Sequence, residues 1–310
     1  MNPKAIAISA RPLLVASFVL ALISGVAQAQ LMVDMKLSKK NYVEHEPVMA
    51  TIQVRNLAGH DMILSGPGGA GWLNLDILRG TEMVHPRPNA PKLKSRALKA
   101  GASFTTEVNL GRFYPLAMPG NYGVTASVYY PPLKRYIPSQ RTVVNVRRAK
   151  VLWSREFGVP QGNNRPIRFR KFSLLSYRDR DSSSVYVRLS ERDDSSVLAT
   201  YSLGRALVSY QPGVFVDASN RLNVLHLGGP QFYAHSIVDS DGDLVRQDYY
   251  KQVSGSTPRL INQSGSIVVR GGVKTDRNGI AATQFSSPMN ERNPGRVRNG
   301  TERPPGLPPR

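Results

Sequence analysis

The chain has no cysteine at any of its 310 positions. Disulfides, thiol catalysis and a lipidated cysteine are therefore all excluded. Acidic residues are scarce beside basic ones, with 21 Asp and Glu against 41 Lys and Arg, so the formal charge is +20. Such an excess attracts polyanions of any kind. The five histidines (His45, His60, His85, His226 and His235) include no pair at a ligating spacing such as H-x-x-x-H. Zinc is not expected, and no cofactor is called for. A G-x-S-x-G nucleophile elbow is missing, and Ser254-Gly255-Ser256 has no His or Asp at a meaningful spacing. Long apolar runs are absent beyond the first 29 residues, so no integral membrane segment is expected after them.

Those first residues carry Lys4 and Arg11, an apolar run over 13–26, and Ala27-Gln28-Ala29 before Gln30. A basic start, a short hydrophobic stretch and a small-x-small site in that order predict a cleaved secretory leader over 1–29. The remaining chain is then exported, periplasmic or secreted. It keeps +18, which is +20 less the two leader charges. Its length suits two domains.

Over 30–150 the pattern alternates with a period of two: LMVDMKL at 31–37, PVMATIQV at 47–54, WLNLDIL at 72–78, FTTEVNL at 104–110, YGVTASVYY at 122–130 and TVVNV at 142–146. Short alternating runs broken by turns such as Asn56 to Asp61 (NLAGHD) predict an antiparallel sandwich, with Trp72 as a core aromatic. The Pro- and Lys-rich stretch 86–99 reads as a long basic loop, and GPGGAG at 66–71 as a loop without the Lys-Ser/Thr of a phosphate loop. Tyr42-Val43-Glu44-His45-Glu46-Pro47-Val48, then Val54-Arg55-Asn56, then Pro119-Gly120-Asn121-Tyr122 resemble bacterial immunoglobulin-like modules, including those similar to the second Ig-like domain of macroglobulins. The resemblance implies an Ig-like β-sandwich and no particular substrate. That family's thioester chemistry needs a cysteine.

Pro160, Gly162, Asn163-Asn164 and Pro166 mark 151–168 as a basic linker. From 169 to 285 about ten strand-like runs follow without a helical period, most clearly in 212–245, where Ala218-Ser219-Asn220, Gly228-Gly229-Pro230 and Asp239-Ser240-Asp241-Gly242 divide apolar runs into a meander. The phrase returns about 45 residues later: Pro258, Ile261, Ile267 and Val269 follow Pro212, Val216, Leu222 and Val224. A fainter copy sets Val185-Tyr186-Val187 against Leu222-Asn223-Val224. That is about three blade-like units. Asp217, Leu222, Val224 and His226 resemble the repeat of secreted sialidase-type propellers. The resemblance implies a propeller-like antiparallel β domain, although a closed propeller needs typically four to eight blades. Three such units leave open sheet edges, which predicts either a homodimer through this domain or docking on the first one. Residues 286–310 are Pro-, Gly- and Arg-rich and are expected to be disordered.

Little here points to catalysis. Asp239-Ser240-Asp241-Gly242-Asp243 offers oxygens at three calcium-loop positions, but Leu244 stands where Gly is needed and Tyr250 where Glu is needed, so a hairpin turn explains it better. Nothing sets Tyr233, Tyr249 or Tyr250 among paired acids as a sialidase would require. Charge, by contrast, is clustered. Arg147, Arg148, Lys150, Arg155, Arg165, Arg168, Arg170, Lys171 and Arg178 face one acid, Glu156, within 32 residues. Lying between two domains, they predict a polyanion-binding belt in a groove. The leading expectation is an exported, non-enzymatic binding or envelope-assembly module with protein or anionic-polymer partners. The alternative is a glycan-processing hydrolase or a degenerate relative.

Overall fold

The computed structural model describes residues 30–278, apart from 70, 89, 91, 161–165, 181, 208 and 209. The leader, the tail and Arg165 lie outside the described residues. What is described is all-β, with three short 3-10 turns as its helical content.

The first unit holds β1 (Leu31–Leu37), β2 (Asn41–Val43), β3 (Met49–Asn56), β4 (Met62–Leu64), β5 (Leu73–Arg79) and β6 (Glu82–Met83). It continues with β7 (Arg96–Leu98), β8 (Ser103–Asn109), β9 (Gly120–Tyr130), β10 (Arg135–Pro138) and β11 (Thr142–Arg147). One sheet runs β1-β3-β8 and the other β2-β11-β9-β5-β6, with β10 beside β9. Alternation in the sequence becomes alternation in burial: Ala50, Ile52 and Val54 of β3 are fully buried, and they meet Ile77, Val124 and Val144 of the opposite sheet. Trp72 is core, as expected, donating Nε1–H to the Lys94 carbonyl at 2.9 Å. Tyr122 donates its hydroxyl to the Met118 carbonyl at 2.6 Å and so closes the corner before β9. Asn56 is wholly buried, and its amide donates to the carbonyls of His60, Leu98 and Lys99 while its oxygen accepts from Ala58 N–H. The basic stretch 86–99 is not all loop, because β7 pairs with β4 there.

The second unit begins earlier than the sequence suggests. β12 (Lys150–Val159) is a ten-residue strand that takes up the first half of the stretch 151–168 read as a linker, and it pairs with β13 (Arg168–Asp179). Pro160 and Pro166 lie between these two strands. With β14 (Ser182–Glu191) and β15 (Val197–Arg205) they form the meander β12-β13-β14-β15. A second meander adds β16 (Gly213–Val216), β17 (Leu222–Gly229), β18 (Phe232–Val238) and β19 (Leu244–Lys251). Then come β20 (Arg259–Gln263), β21 (Ser266–Arg270) and β22 (Val273–Thr275), the last pairing with β19. The two meanders share one core, Phe172, Leu174, Val187 and Leu189 meeting Leu222, Val224 and Val238.

Two four-strand meanders and one hairpin are therefore present where three equal units were expected. The returning phrase is real as a hairpin: β20 and β21 repeat β16 and β17. The third strand of that repeat, β22, leaves the hairpin to cover the edge of β19. The fainter copy is out of step, since Val185 lies on the third strand of its meander and Leu222 on the second of the next.

Two histidines sit inside this unit. His226 is 1% exposed, its Nδ1 has no hydrogen-bond partner among the described residues, and burial pushes it down to about 4 against a backbone hydrogen bond with Arg205; Gly204, at φ 128, leaves room beside its Nε2. Burial also pushes His235 down to about 4, with Asp248 opposing the shift and Arg246 and Lys274 adding to it, while its Nε2 contacts Asn223 Oδ1 at 3.1 Å. In the unfolded chain both would take up a proton near pH 6.5, so the unfolded state binds more protons between pH 6.5 and about 4. Stability should be full above pH 6.5 and fall as pH drops through that window, by roughly 2 kcal/mol per histidine between pH 7.5 and 5. Urea unfolding at the two pH values checks this. A variant carrying His226→Gln and His235→Gln should lose most of the difference, and an undiminished difference would rule the histidines out as its cause.

Candidate functional site

The two units meet along a face that a β-strand makes available by alternation. On β13, Phe172 and Leu174 enter the second unit's core, so Leu175 points the other way. It packs with Tyr186 of β14 against Val43 of β2, and all three are at most 5% exposed. Lys39 closes the rim of this contact. Its Nζ donates to Glu46 Oε1 at 2.6 Å and to the Tyr186 hydroxyl at 3.2 Å, with the Tyr42 and Tyr186 rings also within cation–π range. Arg188 donates to the Glu44 carbonyl at 2.9 Å across the same boundary. Burial, then the Glu46 charge, raises the Tyr186 hydroxyl far above the phenol range, so it stays protonated. The second unit thus leans on the first through a sheet face, while the edge strand β12 stays largely exposed.

Beside this seal lies a cleft of about 560 Å³. Its first wall comes from β2 and β11, which run parallel with Asn145 opposite Asn41 and Arg147 opposite Val43. Its second wall is the end of the β13–β14 hairpin, with Tyr177, Asp179, Arg180 and Ser182. Asn145 Nδ2 donates to Asn41 Oδ1 at 2.8 Å, and Asn41 Nδ2 donates to Asp179 Oδ2 at 2.7 Å. A relay of amides therefore ties the two walls together. Three cations, Lys40, Arg147 and Arg180, line the cleft. Among the described residues none of the three has a carboxylate within ion-pair distance; Arg147 donates to the neutral Asn121 Oδ1 at 2.9 Å. Burial, reinforced by Asp179 and opposed by Arg147, raises the Tyr177 hydroxyl, which leaves it a neutral donor.

Most of the predicted belt is placed elsewhere. Arg147 lines the cleft. Arg148 reaches Glu44 at 3.4 Å with a side chain 82% exposed. Arg168 pairs with Glu191 at 2.6 Å, Arg170 with Asp241 at 2.9 Å, and Lys171 with Asp194. Lys150, Arg155 and Arg178 are exposed. The period of two puts Lys171 on the face of Leu175 and Arg168, Arg170 and Arg178 on the opposite face, so a continuous strip does not form. Lys40 and Arg180 were missed by counting charge along the sequence. Lys40 is brought by the Asn41–Val43 strand pairing in parallel beside 145–147, which only topology supplies, and Arg180 lies two residues past Arg178, at the turn that ends β13.

The carboxylates of Asp217 and Asp239 serve turns. Asp217, its side chain 5% exposed, accepts from Ser219 N–H and Arg221 N–H at 2.9 Å each and from Arg221 Nε at 2.8 Å. Asp239 accepts from Asp241 N–H at 3.0 Å and Asp243 N–H at 2.8 Å, so it faces its own hairpin turn. Leu222, Val224 and His226 line the inner face of β17.

Replacing Leu175 with Asn puts an amide against Val43 in a contact whose apolar truncation alone typically costs about 2–5 kcal/mol. We expect calorimetry of this variant to show two transitions where the native chain shows one, and trypsin to cut after Arg147 or Arg148 much faster. One unchanged transition with unchanged cutting would mean that the seal does not hold the units together.

No family model and no curated protein matches the sequence. Among solved structures the chain is similar to the sporulation control protein Spo0M from Bacillus subtilis, at 11% identity over 56% of this chain and 91% of that one, with a TM-score of 0.24. At that score neither a shared fold nor a shared function is carried across.

Proposed function

We propose that the protein is an exported, non-enzymatic binding module that takes anionic groups of a glycan or envelope polymer in the cleft between its two β units. One observation carries this reading: Lys40, Arg147 and Arg180 converge on a cleft without carboxylate partners among the described residues, while four cations of the adjoining run are matched by acids. These three side chains are exposed, and cations lining a concave polar site concentrate field and raise the local concentration of anions. The leader pattern over 1–29 supports export. The Tyr122 to Met118 bond, with the Tyr near the start of a late strand, resembles the tyrosine corner of immunoglobulin-like sandwiches and supports that reading of the first unit. Sequential four-strand meanders sharing a core support a propeller-like reading of the second, as an open pair of blades. A hydrolase reading gains nothing comparable, because Asp217 is engaged in its turn.

Retention on an immobilised polyuronate, a chain of singly charged acidic sugars, tests the proposal. Serine at Lys40, Arg147 and Arg180 removes three charges from the cleft, and serine at Arg168, Arg170 and Lys171 removes three from the paired set. The first variant should elute at clearly lower salt than the second, with a shallower dependence of log affinity on log salt. Equal losses would reduce the effect to net charge and overturn the cleft as the binding surface.

A further inference from the structure

We infer that the cleft is shaped for an acidic sugar, a ring bearing one anionic group beside free hydroxyls, rather than for a run of phosphates or sulfates. This rests on the reading of the cleft as an anion site and adds the class of ligand.

The first ground is Asp179. A carboxylate among three cations weakens the hold on a dense polyanion, since it repels each additional negative charge brought near it. It is, however, a strong acceptor for hydroxyl groups. Its orientation is fixed by the Asn145 to Asn41 to Asp179 relay, whose two bonds measure 2.8 and 2.7 Å. Donors and an acceptor are therefore set out side by side, which is what a sugar ring with alternating hydroxyls and one charge requires.

The second ground is the mixture of walls. Tyr177 packs against the Val43, Leu175 and Tyr186 seal and lines the cleft, giving it an apolar side. Ser182 on the hairpin adds a neutral hydroxyl. A volume of about 560 Å³ lies within the range that encloses small ligands and is too small for a wrapped polymer, so a long chain would enter by one or two residues. Extended nucleic acid asks for different parts: successive aromatic platforms along a continuous basic groove. Tyr177 is a single ring, and the basic run is divided between two faces.

Isothermal titration of the full chain with four probes decides the matter: a glucuronate-containing disaccharide, the matching neutral disaccharide, inorganic phosphate and a short oligothymidylate. The acidic disaccharide should bind about tenfold more tightly than phosphate or the neutral sugar. Asp179→Asn keeps a side-chain oxygen for Asn41 but removes the charge. It should weaken the acidic disaccharide several-fold and leave phosphate unchanged or tighter. Tyr177→Leu should weaken the disaccharide and spare phosphate. If phosphate or the oligothymidylate binds as well as the disaccharide, or if Asp179→Asn strengthens every anion alike, the sugar inference is overturned while the anion site stands. If no anion binds, or Lys40, Arg147 and Arg180 can be replaced without loss, both readings fail.

Discussion

A β-sheet has two faces, and each apolar face must be covered. For the meander β12–β15 one face is buried against the second meander, leaving Leu175 and Tyr186 on the other. Val43 of the first unit covers them, with Lys39 and Glu46 sealing the rim. This single docking fixes much else. It sets the end of the β13–β14 hairpin beside the parallel pair β2 and β11, and so creates the cleft that either unit alone would lack. Burying three apolar side chains there is worth roughly 1.5–3 kcal/mol each at most, which suits a firm joint.

Several features of the fold were legible along the chain. Period-two runs such as 31–37, 122–130 and 142–146 become β1, β9 and β11 because each has one buried face and one wetter face. The turn at 217–221 was also readable, since Asp at its start can accept from two backbone N–H groups. The strand β12 was not. It is an edge strand whose residues from Lys150 to Glu156 are exposed except for a half-buried Trp153, so burial imprints no alternation on it, and the Pro and Gly residues just beyond drew the reading toward a linker. The blade count failed for a related reason: a hairpin repeat in sequence cannot show that its last strand, β22, pairs back onto β19.

The candidate cleft shares one residue, Arg147, with the basic run that the sequence singles out, and its other cations lie outside that run. A window of nine cations counts charge and not neighbours. Glu191 lies 23 residues beyond Arg168 and Asp241 lies 71 beyond Arg170, and both return to neutralise them. Lys40 comes from the opposite end of the first unit, brought to the cleft by a parallel pairing across 104 residues. Where a charge remains free is thus a property of topology. The local sequence supplies the cations, and long-range pairing decides which of them are matched by acids and which line the cleft.

The central claim is that anionic ligand is held at the joint between the units. Amide hydrogen exchange with and without a saturating glucuronate disaccharide reads it most directly, because it locates protection along the backbone without altering a residue. The account predicts slowed exchange in two separated stretches, 39–43 and 177–184, with 145–147 alongside. Protection confined to 165–171, or spread evenly over the basic surface, would contradict it.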